Sequence, residues 1–144
     1  MNPAELPPQQ AAGAMRVFVV EDSPAVRERL QAMLGEIEGT QTVGVAAGAQ
    51  SAIEGIRAAG PDLVLLDLHL AEGNGFDVLR ALRAPGAPTA SVEVFVLSNL
   101  SAVPYRRNAQ RLGVQGFFDK STEFGRMRAA LAARARSIRS ERMH

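Results

Sequence analysis

The chain has no cysteine and no tryptophan, a single tyrosine, and only one lysine among its 16 basic residues. Without cysteine there is no disulfide framework, no thiolate metal site and no thiol catalysis. No apolar run is long enough to span a bilayer, and the N-terminus lacks both the basic start and the apolar core of a signal peptide. A cytoplasmic protein with no membrane partner is therefore expected. Neither sign of charge is in excess: 16 basic and 15 acidic residues leave a net charge of +1. That is not the field of a dedicated nucleic-acid binder, so no specific nucleic-acid partner is expected. What is present is 144 residues that are 47% hydrophobic, enough for one domain around one core.

The lone lysine is Lys120; the other 15 basic residues are arginines. Either compositional drift left its last lysine there, or the position needs a compact, mobile ammonium where arginine would offer a planar fork. Its place in the chain bears on that choice. Residues 1–14, rich in Pro, Gln and Ala and without periodicity, read as a flexible leader, and residues 15–144 as the domain.

The most informative stretch is Leu63 to Gly75, where a continuous apolar run after Gly60 and Pro61 delivers Asp67 to a Gly-rich loop. A run of this kind predicts a strand buried on both faces of a parallel sheet. Val17 to Val20 repeat the pattern and deliver Glu21 and Asp22; Ser23 and Pro24 then start a helix with Val26, Leu30, Met33, Leu34 and Ile37 as its apolar stripe. A weaker strand is expected over Val43 to Ala47. The helix after it carries Ala49, Ala52, Ile53 and Ile56 and ends at Gly60.

A third helix carries Phe76, Leu79 and Leu82, and a flexible connection is expected from Ala84 to Ser91, where two prolines and a glycine cluster. A fourth strand, Val92 to Leu97, opens onto Ser98 and Asn99. The next helix, starting near Pro104, should turn Tyr105, Ala109 and Leu112 inward; a fifth strand, Val114 to Phe118, delivers Asp119 and Lys120. The final helix buries Phe124, Met127, Leu131 and Ile138, with its arginines read as a solvated face.

Five strands alternating with five helices predict an α/β fold: a doubly wound, five-stranded parallel sheet of order 2-1-3-4-5, flanked by five helices. Its switch point, between strands one and three, gathers Glu21, Asp22 and Asp67, with Ser98 and Lys120 alongside. Taken singly, Asp67 could merely cap a turn, the acidic pair could complement a helix dipole, and Ser98 could be a turn residue. Together the three carboxylates repel one another unless they share a proton or a cation, and an all-oxygen donor set favours magnesium. Asp67 then becomes a candidate nucleophile toward phosphorus. Glu21 and Asp22 would hold the metal, Lys120 would meet the phosphoryl oxygens, and the Ser98 hydroxyl would donate to one of them. The His69 side chain is read as facing solvent, its backbone carbonyl being the better metal ligand.

With V-F-V-V-E-D-S, L-V-L-L-D-L-H-L followed by G-N-G, V-F-V-L-S-N and G-F-F-D-K in this order, the sequence from Met15 onward resembles the receiver domain of two-component response regulators. The resemblance implies that Asp67 takes a phosphoryl group from the phosphohistidine of a sensor histidine kinase or phosphotransfer protein. It further implies magnesium held by Glu21, Asp22, Asp67 and the His69 carbonyl, with Ser98 and Lys120 reading the phosphoryl and Phe117 as the switch aromatic. Such a protein is a phosphoacceptor that assists its own phosphotransfer and dephosphorylation, not an enzyme acting on a separate substrate. Ala71, Asn99 and Ser121 depart from the family's pattern, which has proline, a small residue and proline at these positions.

Only 24 residues follow Lys120, so no output domain is expected, and signalling would pass to a downstream protein through the fourth helix, fifth strand and fifth helix. The fifth helix also offers a face for a homodimer. Two other readings compete: a receiver-like scaffold acting independently of phosphorylation, and a flavodoxin-like cofactor binder or hydrolase. The lack of a Gly-rich phosphate loop after the first strand argues against the last of these.

Overall fold

The computed structural model describes residues 13–99 and 103–142. The expected leader, apart from Gly13 and Ala14, lies outside the described residues. In chain order the elements are β1 (Met15–Val20), α1 (Pro24–Glu36), β2 (Thr40–Ala46), α2 (Ala49–Ala59), β3 (Leu63–Asp67), α3 (Gly75–Leu82), β4 (Glu93–Ser98), α4 (Val103–Arg111), β5 (Gly116–Asp119) and α5 (Phe124–Arg142). The sheet is five-stranded, in the order β2-β1-β3-β4-β5, and every pairing is parallel. The chain steps outward from β1 to β2, returns to β3 on the other side of β1, and continues in that direction. The switch point therefore lies between β1 and β3, as the sequence predicts.

β3 sits centrally between β1 and β4, and all five of its residues are buried. Its side chains alternate between two cores, as the period of a strand requires. Leu63 and Leu65 pack with Leu30, Leu34, Met127, Leu131 and Ile138 beneath α1 and α5. Val64 and Leu66 pack with Ile56, Leu79, Leu82 and Ala109 beneath α2, α3 and α4. A strand flanked by two dry layers has no polar face, which is why its sequence is a continuous apolar run.

Local signals place the helix ends. The Ser23 hydroxyl accepts from Val26 N–H at 3.3 Å to cap α1, with Pro24 following in the first turn. Gly60, at φ 58°, closes α2 in the left-handed conformation.

Two expectations are corrected. Tyr105 is not inward: it is 39% exposed and stacks on Phe76 with ring centroids 6.2 Å apart. Ala109 and half-buried Leu112 carry the inner face of α4, and a phenol with its hydroxyl in water loses less than one buried without a partner. The Ala84 to Ser91 connection is a tied succession of turns. The Arg83 guanidinium donates to the carbonyls of Leu112 (2.9 Å), Gly113 (3.1 Å), Thr89 (3.4 Å) and Ala90 (3.3 Å). The buried Thr89 hydroxyl donates to Leu82 O at 3.0 Å. These bonds tie the connection to the end of α3 and to the turn after α4, while its own turns pair Ala84 O, Ala87 O and Thr89 O with Ala87, Ala90 and Val92 N–H.

Candidate functional site

β1 and β3 deliver their carboxylates to one place. Asp67, the last residue of β3, is 1% exposed; Glu21, just beyond β1, is 0% exposed; and Asp22 is half-buried. Oxygens of all three lie within 4.8 Å of one another. The end of β1 is pinned by Glu21 N–H to Ala46 O at 3.0 Å and by Arg27 Nη1 to Glu21 O at 2.8 Å.

The loop after β3 is shaped by glycine where nothing larger fits. A Cβ on Gly75 would overlap Asp67 O and lie 2.6 Å from Leu68 Cα, and one on Gly73, at φ 75°, would lie 2.6 Å from Ala49 Cβ. Removing either Cβ lets the loop fold back so that Gly75 N–H reaches Leu68 O at 3.0 Å. Between the two glycines Asn74 caps α3, its Oδ1 accepting from Asp77 N–H at 3.0 Å. The G-N-G run is thus a tight return that holds Asp67 at the surface of the crevice.

Lys120 follows β5 and reaches back across the sheet. Its ammonium donates to Asp67 Oδ2 at 2.9 Å and lies 2.5 Å from Glu21 Oε1. The second contact is ionic only, because Glu21 Oε1 makes no hydrogen bond; Glu21 Oε2 accepts from Ser23 N–H at 3.1 Å. Burial alone would depress the lysine, but its close contacts with the Glu21 and Asp67 carboxylates and the charges of both outweigh that and raise it. The ammonium is therefore fully charged at neutral pH. The position of the lone lysine favours need over drift: a planar guanidinium could not enter the gap between two buried carboxylates as a point charge.

The remaining predicted residues fall around this centre. Ser98 ends β4 fully buried, and its carbonyl accepts from Lys120 N–H at 3.1 Å. His69 exposes its side chain, as expected, while its N–H donates to Asp67 Oδ1 at 3.0 Å. Phe117, on β5, is 8% exposed, with the Arg106 guanidinium 5.1 Å from its ring centroid. Two positions that depart from the family pattern meet at the rim, where the Ser121 hydroxyl lies 3.4 Å from Asn99 Oδ1. The Lys120–Ser121 peptide is trans.

A positioning residue escaped the sequence reading. Asp119 Oδ1 accepts from Ser121 N–H (2.7 Å) and Thr122 N–H (3.2 Å), and Asp119 N–H donates to Glu123 Oε1 at 3.1 Å. The run D-K-S-T-E carries the signal for this turn, an aspartate two residues before the N–H it accepts from.

Formally, three negative charges face one positive charge. Glu21 Oε1 is buried without a hydrogen bond, the donors are all oxygen, and Asp22 has no ion pair among the described residues. These features fit a hard divalent cation.

Comparison with known proteins bears on what such a centre does. A family model described as the response regulator receiver domain matches residues 17–132. The transcriptional regulatory protein MalR of Bacillus subtilis is 34% identical over 118 residues, covering 82% of this chain and 49% of that protein. A protein-glutamate methylesterase/protein-glutamine glutaminase of Anaeromyxobacter dehalogenans is 32% identical over 124 residues, covering 79% of this chain and 34% of that protein. The chain thus spans about half, or less, of these relatives. Among solved structures, the signal receiver domain of the response regulator NarL from Mycobacterium tuberculosis superposes with a TM-score of 0.75 at 27% identity, over 85% of this chain and 97% of that one. The response regulator domain of Thermotoga maritima CheB shares the fold at a TM-score of 0.74 and 24% identity, over 88% of this chain and 97% of that one.

Proposed function

Because this chain belongs to the response regulator receiver domain family, and so serves two-component signal transduction, we propose that Asp67 is its phosphoacceptor. The observation that carries the assignment is the convergence of Asp67 with Glu21, Asp22 and Lys120 at the switch point of the sheet. In the transfer, an Asp67 carboxylate oxygen forms a bond to phosphorus as the phosphorus–nitrogen bond of a phosphohistidine breaks. The electron pair returns to the imidazole and the product is an acyl phosphate. The donor is a sensor histidine kinase or a phosphotransfer protein, and a downstream protein reads the result.

The residues that would hold magnesium are Glu21, Asp22, Asp67 and the His69 carbonyl. The ion would supply positive charge to offset that of the incoming phosphoryl group. The chain's own residues do the rest. Lys120, already an ammonium beside Asp67, pairs with a phosphoryl oxygen, and the Ser98 hydroxyl donates to another. Movement of Ser98 frees room for the Phe117 ring, so phosphorylation shifts α4 and β5 between two packings. The same charged surroundings let the domain assist both its own phosphotransfer and its own dephosphorylation. With no helix among the described residues long and apolar enough to cross a membrane, the cytoplasm is the compartment proposed. α5 is the face proposed for a homodimer.

The test is intact mass after incubation with magnesium and a small phosphodonor. A gain of one phosphoryl group in the wild type, absent in Asp67→Asn, is expected. A wild type that gains nothing would favour a scaffold acting independently of phosphorylation.

A further inference from the structure

An open sheet has two edges, and this one guards them unequally. β5, at one edge, is only four residues long, and the Arg106 and Arg126 guanidiniums lie over its Phe117 and Phe118 rings, 5.1 and 5.8 Å from the centroids. Short length and charge are usual means of keeping an edge from pairing with another chain. β2, at the other edge, has neither. It runs seven residues, T-Q-T-V-G-V-A, with no charge and no proline, and its one neighbour in the sheet is β1. Its Val45 is 44% exposed, one of two large apolar side chains so exposed among the described residues.

The register of β2 sets which of its backbone groups are open. Met15 N–H donates to Gly39 O at one end, and Glu21 N–H donates to Ala46 O at the other. Between them the pairing slips by one residue: Val17 faces Thr42 but Phe18 faces Gly44, which makes Val43 the extra residue of a bulge. Alternation therefore turns the N–H and C=O of Gln41 and Ala46 toward β1, and those of Thr42 and Val45 outward. The outward residues sit symmetrically about the Val43–Gly44 peptide. Thr42 and Val45 also share a sheet face, because their β1 partners, Val17 and Val19, belong to the same core layer.

We propose that β2 pairs edge to edge, antiparallel, with β2 of a second copy of this chain, Thr42 opposite the partner's Val45 and the two bulges meeting at a two-fold axis. Each Thr42–Val45 pair exchanges backbone hydrogen bonds in both directions and lays a β-branched side chain against the exposed valine. Such a contact is isologous and closes at two copies. No like charges meet in this register: Glu38, the acidic residue nearest the strand, comes opposite Ala49 and is already paired with Arg139. A strand from an unrelated protein would lack the matching interruption at Val43, whereas the chain's own β2 supplies it. The contact uses neither Asp67 nor α5, so it stands apart from the phosphoryl chemistry and from the α5 face.

The test is sedimentation of the full chain across a concentration series, with no phosphodonor. A reversible dimer is expected. Val45→Lys puts a charge on the open edge and removes both Thr–Val pairs, so the dissociation constant should rise about tenfold or more. Thr42→Pro deletes an outward N–H, which costs the monomer no ladder bond, and it should sediment as a monomer. Arg136→Glu, on α5, should dimerise as the wild type does. Circular dichroism matching the wild type certifies each fold. Register is read by disulfide trapping, since the chain has no cysteine of its own. Directly opposed residues lie about 5.5 Å apart at Cα, within the reach of a disulfide. Thr42→Cys mixed with Val45→Cys should therefore cross-link, and Val45→Cys alone should not. A wild type that stays monomeric throughout would overturn the proposal. So would a dimer that survives Val45→Lys but not Arg136→Glu, or Val45→Cys that cross-links as readily by itself.

Discussion

The two ends of the sheet hold similar charged residues in opposite states. At the amino-terminal end of the strands the charges are matched. Arg134 Nε reaches both Glu93 oxygens at 2.8 and 2.7 Å, and Arg142 pairs with Asp62 and donates to Ala14 O at 2.8 Å. Arg16 N–H donates to Asp62 Oδ2 at 2.8 Å. Glu93, Arg134, Arg142 and Asp62 line a cavity of about 320 Å³ between α5 and the strand starts. At the carboxyl-terminal end three carboxylates gather around one ammonium, which contacts only Glu21 and Asp67, and a buried oxygen of Glu21 has no hydrogen bond. One end spends its charges on holding α5 to the sheet; the other sets three carboxylates against one ammonium. The two apolar layers, not the site, hold the fold.

The largest expected effect breaks the contrast at its centre. Asp67→Asn removes the proposed nucleophile and should abolish phosphoryl uptake, read as the absence of any mass gain under conditions that modify the wild type. Glu21 and Asp22 remain, so the loss should appear without unfolding. Uptake at an undiminished level would place the acceptor elsewhere.

Next in size is magnesium. If the excess of carboxylates recruits it, the ion should raise the melting temperature of the wild type, since a ligand that binds only the folded state stabilises it in proportion to RT ln(1 + [L]/Kd). Asp22→Ala should erase most of that rise, read by calorimetry across a magnesium series. An unchanged rise in both Asp22→Ala and Asp67→Ala would locate the ion away from the crevice.

A substitution at the matched end should do the reverse. Arg134→Met keeps most of the aliphatic stem but leaves the half-buried Glu93 unpaired, and should cost about 1 to 2 kcal/mol in urea denaturation. Its magnesium response and phosphoryl uptake should stay as in the wild type. If uptake fell in step with stability, the two ends would not be separable.

The parts of this arrangement that the sequence carried are those written locally. A buried run ending in a carboxylate states both the strand and the group it delivers, which is why β1, β3 and the trio of Glu21, Asp22 and Asp67 were legible. Long-range polar ties were not. Arg83 meets carbonyls 29 and 30 residues away, and Arg139 reaches Glu38 from 101 residues away. No periodicity encodes such pairs, so the connection after α3 reads as flexible and the arginines of α5 as merely solvated. Tyr105 failed for another reason. It lies on the same side of α4 as Leu112, and spacing alone cannot say that the last inward turn is filled by Leu112 and Ala109 while the ring lies out over Phe76.

The smallest predicted effect concerns the turn that presents Lys120. The carboxyl of Asp119 is held below its ordinary range chiefly by the backbone N–H of Ser121, with burial opposing and Thr122 assisting. A carboxylate depressed in the folded state contributes stability that is fully present above its unfolded value and is lost as pH falls through its folded value. Asp119→Asn keeps an oxygen that can accept from Ser121 but has no proton to gain in that window. The wild type should therefore lose stability relative to Asp119→Asn as pH falls below the usual carboxylate range, while the two run parallel near neutrality. Asp119→Ala, which removes the acceptor, should show less of the benefit at every pH and leave the Lys120 resonances broadened. Denaturant midpoints measured across the acid range decide it: if Asp119→Asn follows the wild type down through the whole range, other carboxylates carry the acid sensitivity and the turn is held by its neighbours.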